Sequence, residues 1–267
     1  MLTRHDDPMD RPLGAPELDP ELQDALTDRA IAIHYQPMIS LETGRVVAAE
    51  ALARWERAGA GAEALFSRAR AARLEGPLSR TIQFDAMERA ATWTGALGKI
   101  DLSLNLLPEE LFERDFPASF LDMLADSGFA PERLTLELVA TGLITEHPDA
   151  IARLDALRAE GIRIAVDDFG TGYSSLAYLA TLPIDTLKID RAMVADITGE
   201  HRSRIVLRAM LRLAQELGLN TVVEGVESAA QLELLADWGA DAYQGFLGSG
   251  PLDEAALGRF VTYANKG

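Results

Sequence analysis

Glu50, Glu137, Asp167, Asp168, Asp190 and Glu224 each stand where a short apolar run gives out, and Gln36, Asn105, Lys188 and Gln244 hold equivalent places. The runs are Ile31–Gln36, Arg45–Glu50, Ile100–Asn105, Leu134–Glu137, Ile162–Asp168, Thr186–Asp190, Asn220–Glu224 and Ala242–Gln244. If the acids converge, they cannot all ionise unaided, because neighbouring like charges push carboxyl pKa values up. Divalent cations relieve that repulsion. Glu50, Asn105, Glu137, Asp167, Asp168 and Glu224 offer carboxylate and amide oxygens without sulfur or imidazole, a set that favours Mg²⁺ or Mn²⁺ over zinc or copper. The adjacent pair Asp167-Asp168 suits a carboxylate bridging two ions about 3.5–4 Å apart, the arrangement used for phosphate ester hydrolysis.

The elements that must position these groups follow from the alternation of strand-like and helix-like segments after Ile31. That pattern predicts an α/β fold with a largely parallel sheet. Eight strand-like runs, each ending in a polar group, predict a (β/α)8 TIM-like barrel whose site is assembled at the C-terminal ends of several strands. Pro20 to Arg29 is expected to form a short leading helix, and Pro108-Glu-Glu to open another, with proline and acids in its first turn. Ile205, Val206, Ala209, Met210, Leu213 and Leu217 are expected to make the apolar face of a further helix, leaving Arg204, Arg208 and Arg212 on its solvated side. Residues 1–19, rich in proline and aspartate, are expected to be a flexible tail, the remnant of a linker to another module, with 20–267 forming one domain.

Composition narrows the classes. The chain has 267 residues, 48% hydrophobic, with a net charge of −17 and no cysteine, so disulfides, thiolate nucleophiles and Cys-type zinc sites are excluded. Its four histidines have no partners at metal-ligand spacing. Binding of a nucleic-acid polymer is not expected, since no basic stripe exists to meet the phosphates. No apolar stretch approaches the roughly 18 residues of a membrane span and no secretory leader is visible, so a cytoplasmic protein is expected.

Each residue also has a plainer explanation. A lone acid after a strand is most often a helix cap, which for Asp168 alone is the better reading. Glu50 and Glu137 lie within apolar runs, where caps are less natural. Lys188, between Leu187 and Ile189, is costly inside a barrel unless paired. The glycines of Gly170-Thr-Gly172 suit an ordinary βα turn, with Ser174-Ser175 capping the next helix. The joint occurrence, one polar group per strand, is what outweighs these readings.

The segment Glu50-Ala51-Leu52-Ala53-Arg54-Trp55 closely resembles the signature of the EAL family of cyclic di-GMP phosphodiesterases. It is followed in order by Asn105, Glu137, Asp167-Asp-Phe-Gly-Thr-Gly-Tyr-Ser-Ser175, Lys188-Ile-Asp190, Glu224-Gly-Val-Glu227 and Gln244-Gly-Phe246. The resemblance covers residues 30–255 and implies a barrel with its first strand antiparallel to the rest. It implies Glu50, Asn105, Glu137 and Asp167 as ligands of one ion, and Asp167, Asp168 and Glu224 as ligands of a second. Lys188 and Glu224 are implied as catalytic residues acting on the attacking water. Gln36, Leu52, Arg54, Asp190, Glu227 and Gln244 are implied as substrate-holding or bracing groups. The implied reaction is hydrolysis of cyclic di-GMP to linear pGpG with two Mg²⁺ or Mn²⁺ ions, inhibited by Ca²⁺. A homodimer is implied as well, its interface coupled to the site through the Gly170–Gly172 loop. Regulation is expected from a partner protein or a missing N-terminal module.

Three departures from the family pattern bear on turnover. Glu137-Leu-Val139-Ala140 replaces Glu-x-Thr-Glu, whose second glutamate anchors the glycine loop. Leu107 stands where a serine is usual, and Phe66-Ser-Arg-Ala-Arg-Ala71 replaces Phe-Ile-Pro-x-Ala-Glu. None removes an implied metal ligand. The leading reading is therefore a phosphodiesterase, with reduced turnover left open. The alternatives are a degenerate EAL domain acting as a cyclic di-GMP receptor or partner-binding module, and an aldolase-like barrel with Lys188 as a Schiff-base nucleophile. The surrounding acids argue against the last, because they keep the amine protonated.

Overall fold

In a computed structural model of the chain, which describes residues 18–58, 61–139, 149–170, 176–199 and 201–266, eight strands close into a barrel in sequence order. They are β1 (Ala32–Ser40), β2 (Val46–Arg54), β3 (Asp101–Asn105), β4 (Leu134–Val139), β5 (Arg163–Phe169), β6 (Thr186–Ile189), β7 (Asn220–Val223) and β8 (Ala242–Tyr243). Strand β1 pairs antiparallel with both β2 and β8, while every pairing from β2 round to β8 is parallel. The tail expected over 1–19 falls mostly outside the described residues, as do Ala140 and the run 171–175 of the glycine loop.

Among the described residues the helices are α1 (Pro20–Thr27), α2 (Gly61–Ala72), α3 (Glu75–Ala91), α4 (Pro108–Leu111), α5 (Ala118–Ser127), α6 (Ala150–Ala159), α7 (Leu176–Thr181), α8 (His201–Glu216), α9 (Ala229–Asp237) and α10 (Glu254–Ala264). Local chemistry sets their ends. Asp19 accepts a hydrogen bond from Leu22 N at the start of α1, and Asp253 accepts one from Ala256 N at the start of α10. Ser228 and Gln231 form a reciprocal capping box on α9. Beyond α10, the Asn265 side chain accepts from Val46 N and donates to Val46 O, tying the last helix to the floor end of β2.

Strand alternation divides the side chains into two sets. Leu102, Leu104, Leu134, Leu136, Leu138, Ile164, Val166, Leu187, Ile189 and Val223 point outward and are buried together with the helices in the main core. The alternate positions point inward. Low in the barrel these are small groups such as Ala48, Ser103, Thr135, Ala165, Thr186 and Ala242, around a cavity of about 270 Å³. One step higher the same alternation delivers Glu50, Asn105, Glu137, Asp167 and Lys188 to a common level.

Two expectations need correction. Gln36 and Glu50 are mid-strand, not terminal, because the β1–β2 hairpin is long: β1 continues to Ser40 and β2 to Arg54, with Gln36 paired to Glu50. Pro108 does open a helix, of four residues, with Glu109 and Glu110 in its first turn. In α8 the buried face is Leu207, Leu211 and Ala214, whereas Ile205, Val206 and Leu217 are exposed. Apolar residues occur on several sides of that helix, so periodicity alone selected the wrong stripe.

Candidate active site

The barrel centre is held by one cation. Lys188, on the inward face of β6, is 1% exposed. Its Nζ donates to Glu137 Oε2 at 2.7 Å and Glu50 Oε2 at 3.3 Å, and lies 2.8 Å from Glu224 Oε1 and 3.2 Å from Asp167 Oδ1. Burial alone disfavours the ammonium, but the charges of Glu137, Glu50, Asp167 and Glu224 overcome it and hold Lys188 well above its ordinary pKa.

A fixed lattice of amides and hydroxyls surrounds this centre. Asn105 Nδ2 donates to Glu50 Oε1 at 3.0 Å, and Gln244 Nε2 donates to Glu50 Oε2 at 2.8 Å and to Gln36 Oε1 at 3.1 Å. Gln36 Nε2 in turn donates to Ser249 O. Ser103 Oγ, one inward step below Asn105, donates to Glu137 Oε1 at 2.5 Å. Sequence reasoning missed Ser103, although the alternation Asp101-Leu-Ser-Leu-Asn105 places it on the same face as Asn105.

Burial opposes the charge on Glu50, yet Lys188 and the hydrogen bonds from Gln244 and Asn105 outweigh it and hold its carboxyl below the usual range. Glu137 moves the other way, since burial and the negative charge of Glu50 prevail over the attraction of Lys188. Asp168 is raised by burial and by Asp167, and Glu224 is raised to about 7, chiefly by burial. One ammonium does not balance this many acids, so negative charge is concentrated at the barrel centre.

That deficit is what divalent cations correct, and the geometry fits them. Asp167, Asp168 and Glu224 present carboxylate oxygens that all lie within 4.8 Å of one another. Asp167 Oδ1 is buried with no hydrogen bond, its nearby partner being the Lys188 ammonium at 3.2 Å. Asp168 adopts φ +54°, in the left-handed region that non-glycine residues rarely occupy, the kind of backbone strain that gathers at functional sites. The residue after Glu224 has little choice of type: Gly225 has φ +67°, and a Cβ there would meet the Arg191 side chain at 2.3 Å. With Asn105 and Glu50 on the opposite wall, the donor set is all oxygen, as hard divalent cations require.

The EAL domain family model matches residues 19–251. The chain belongs to the EAL domain family. It is 34% identical over 252 residues to the cyclic di-GMP phosphodiesterase NbdA of Pseudomonas aeruginosa, an alignment covering 92% of this chain and 32% of that protein. Across the first curated relatives it matches, the chain spans about a third of their length. The PaMucR phosphodiesterase in its c-di-GMP complex is similar in structure, with TM-score 0.81 and 30% identity over 89% of this chain and 98% of that one. The Klebsiella pneumoniae BlrP1 manganese/c-di-GMP complex gives TM-score 0.74 at 30% identity, covering 83% and 56% respectively.

The EAL tripeptide itself can be read in physical terms. Glu50 points into the barrel and Ala51 is buried in the core behind β2. Leu52 points inward again and lines a cavity of about 400 Å³ with Phe66, Ile82, Leu107, Asn105 and Asp168. Other EAL-type positions stand apart from the ion-pair cluster. Arg54 Nη1 donates to Ala53 O, Asp190 caps a 3₁₀ turn by accepting from Ala192 N, and Glu227 is exposed on the loop before α9. Among the described residues no helix is long and apolar enough to cross a membrane.

Proposed function

We propose that this EAL domain hydrolyses cyclic di-GMP to linear pGpG at the mouth of the barrel, using two divalent cations. The observation that carries the reading is the buried Lys188 ammonium encircled by Glu50, Glu137, Asp167 and Glu224, beside the convergent oxygens of Asp167, Asp168 and Glu224. Similarity to NbdA and to the PaMucR and BlrP1 complexes supports the substrate.

Glu50, Asn105, Glu137 and Asp167 would hold one Mg²⁺ or Mn²⁺ ion and Asp167, Asp168 and Glu224 the other. When bound, such ions acidify water and stabilise charge on phosphoryl oxygens. Lys188, kept protonated by its neighbours, orients the attacking water by donating a hydrogen bond. Glu224, beside that water, accepts its proton. The water oxygen forms the new bond to phosphorus, the bond from phosphorus to the ribose 3′ oxygen breaks, and that oxygen leaves with a proton. Leu52 and the apolar cavity beside it receive a guanine, while Gln36, Arg54, Asp190, Glu227 and Gln244 hold the remainder of the ligand or brace the shell. Arg54 would leave its Ala53 carbonyl to grip a phosphate oxygen.

The same reading takes 20–267 as one EAL unit, joined in the whole protein to a regulatory module or partner, as the greater length of its relatives supports. The exposed Ile205 and Val206 of α8 support assembly as a homodimer. Incubation with cyclic di-GMP and Mg²⁺ or Mn²⁺, reading separately for pGpG and for bound ligand, tests the activity. Glu50→Ala should abolish turnover and weaken metal binding; unchanged turnover in that variant removes the metal reading. Ligand retention without pGpG would make the domain a receptor instead.

A further inference from the structure

Behind Asn105, outside the barrel wall, lies a second polar cluster, of which Ser79 and Gln83 also line the cavity beside Leu52. Ser79 and Gln83 stand one turn apart on α3, and Glu110 is the third residue of the short α4; they are 3%, 2% and 4% exposed. Gln83 Nε2 donates to Asn105 O at 3.0 Å, with Ser79 Oγ at 3.1 Å and Glu110 Oε2 at 3.2 Å also in range. Ser79 Oγ donates to Glu110 Oε2 at 2.7 Å, and Leu107 N donates to the same oxygen at 3.0 Å. One carboxylate oxygen therefore gathers the turn after β3, and one amide nitrogen holds the carbonyl of Asn105.

Packing between a sheet and its helices does not need this cluster. Apolar side chains of similar volume fill such space at least as stably as buried charge. The Gln83 amide is also turned so that its Oε1 is buried without a hydrogen bond. Three acceptors surround its nitrogen instead. Leu107, at the N-cap of α4, has no side-chain oxygen to accept from Glu110 N, and only the other half of a capping box is made, with Leu107 N donating to the Glu110 side chain. On the far side of the same residue, the Asn105 side chain reaches Glu50. The contacts thus run without a break from Glu110 through Gln83 and Asn105 to the barrel centre.

We propose that Gln83, Ser79 and Glu110 are positioning residues that fix the peptide and side-chain direction of Asn105 for the divalent cation. The proposal rests on the reading of Asn105 as a metal ligand. Gln83 on the backbone side and Glu50 on the side-chain side hold the exposed Asn105 at both ends, which limits the reorganisation needed to present its oxygen. Partners lying one step behind metal ligands commonly govern affinity about 10–100-fold when removed.

The test is Mn²⁺ affinity by calorimetric titration, paired with thermal midpoints in chelator. The proteins are wild type, Gln83→Met, Glu110→Leu, Glu110→Gln, Asn105→Ala and the double variant Gln83→Met/Asn105→Ala. Gln83→Met and Glu110→Leu should each weaken Mn²⁺ binding about tenfold or more. Glu110→Gln, which retains an acceptor oxygen, should stay near wild type. In the Asn105→Ala background, Gln83→Met should cause no further loss, because residues acting through one another are not additive. If Gln83→Met fails to fold, Ser79→Ala should still weaken binding measurably. Lowered midpoints with wild-type Mn²⁺ affinity would make the cluster purely structural and overturn the proposal. Should Asn105→Ala itself bind Mn²⁺ like wild type, the ligand reading fails first. If Asn105→Ala weakens binding and Gln83→Met does not, only the positioning role fails.

Discussion

Lys188 Nζ lies 2.7 Å from Glu137 Oε2 with both side chains essentially out of solvent, so each is the condition for the other's burial. A lone ammonium or carboxylate at this depth would be strongly disfavoured. The pair sits at the centre of the acids that would hold metal, and the lysine supplies in one covalent piece part of the charge that ions otherwise bring.

Lys188→Met should therefore be tested for stability as well as for activity. At pH 8 in chelator it should lower stability on the order of 3–5 kcal/mol, the usual cost of removing one partner of a buried pair. Adding Mn²⁺ should recover much of the loss, as read by thermal unfolding, while pGpG formation stays absent. An unchanged midpoint in chelator would mean that the acids do not depend on the lysine.

The pH dependence follows from Glu224. Its carboxyl is raised from the ordinary 4.5 to about 7, so the folded chain binds this proton more tightly than the unfolded chain does. Its contribution to stability is complete below about 4.5 and is lost as pH rises through about 7. The metal-free protein should have a higher thermal midpoint at pH 5.5 than at pH 8, and Glu224→Gln should flatten that slope. Metal affinity should show the opposite trend, weakening below about 7 because ligands must shed protons to bind.

Calcium should bind and inhibit. Its larger radius tolerates loose coordination, and it polarises water less than Mg²⁺ or Mn²⁺ does. Comparing pGpG formation with each ion at saturation checks this; a calcium rate equal to that with magnesium would contradict the proposed use of the site.

Ala140→Glu should raise turnover if the glycine loop lacks an anchor. The position follows Val139 at the end of β4 and lies outside the described residues. A tenfold gain would correspond to about 1.4 kcal/mol of transition-state stabilisation. Turnover unchanged by the new glutamate would show that the loop is held by other means.

Much of this was legible in the chain itself. Alternating inward and outward positions is a local property of a strand, so Asn105, Glu137, Asp167 and Lys188 could be placed on one side of their strands from sequence order alone. The eightfold repetition then dictated a barrel, and an all-oxygen donor set pointed toward hard cations. Tertiary structure decided what depends on distance between elements. It put the lysine among Glu50, Glu137, Asp167 and Glu224, and it left Gln36 and Glu50 facing each other mid-strand in a hairpin longer than the apolar runs suggested. It also chose Leu207, Leu211 and Ala214 as the buried stripe of α8, where the sequence offers apolar residues on several sides. Gln83 and Ser79 carried no signal, and Glu110 only that of an acid in a helix's first turn, since their joint role exists only once α3 and α4 are packed against the turn after β3. Periodicity reports which way a side chain faces; what it meets there is fixed by closure of the barrel.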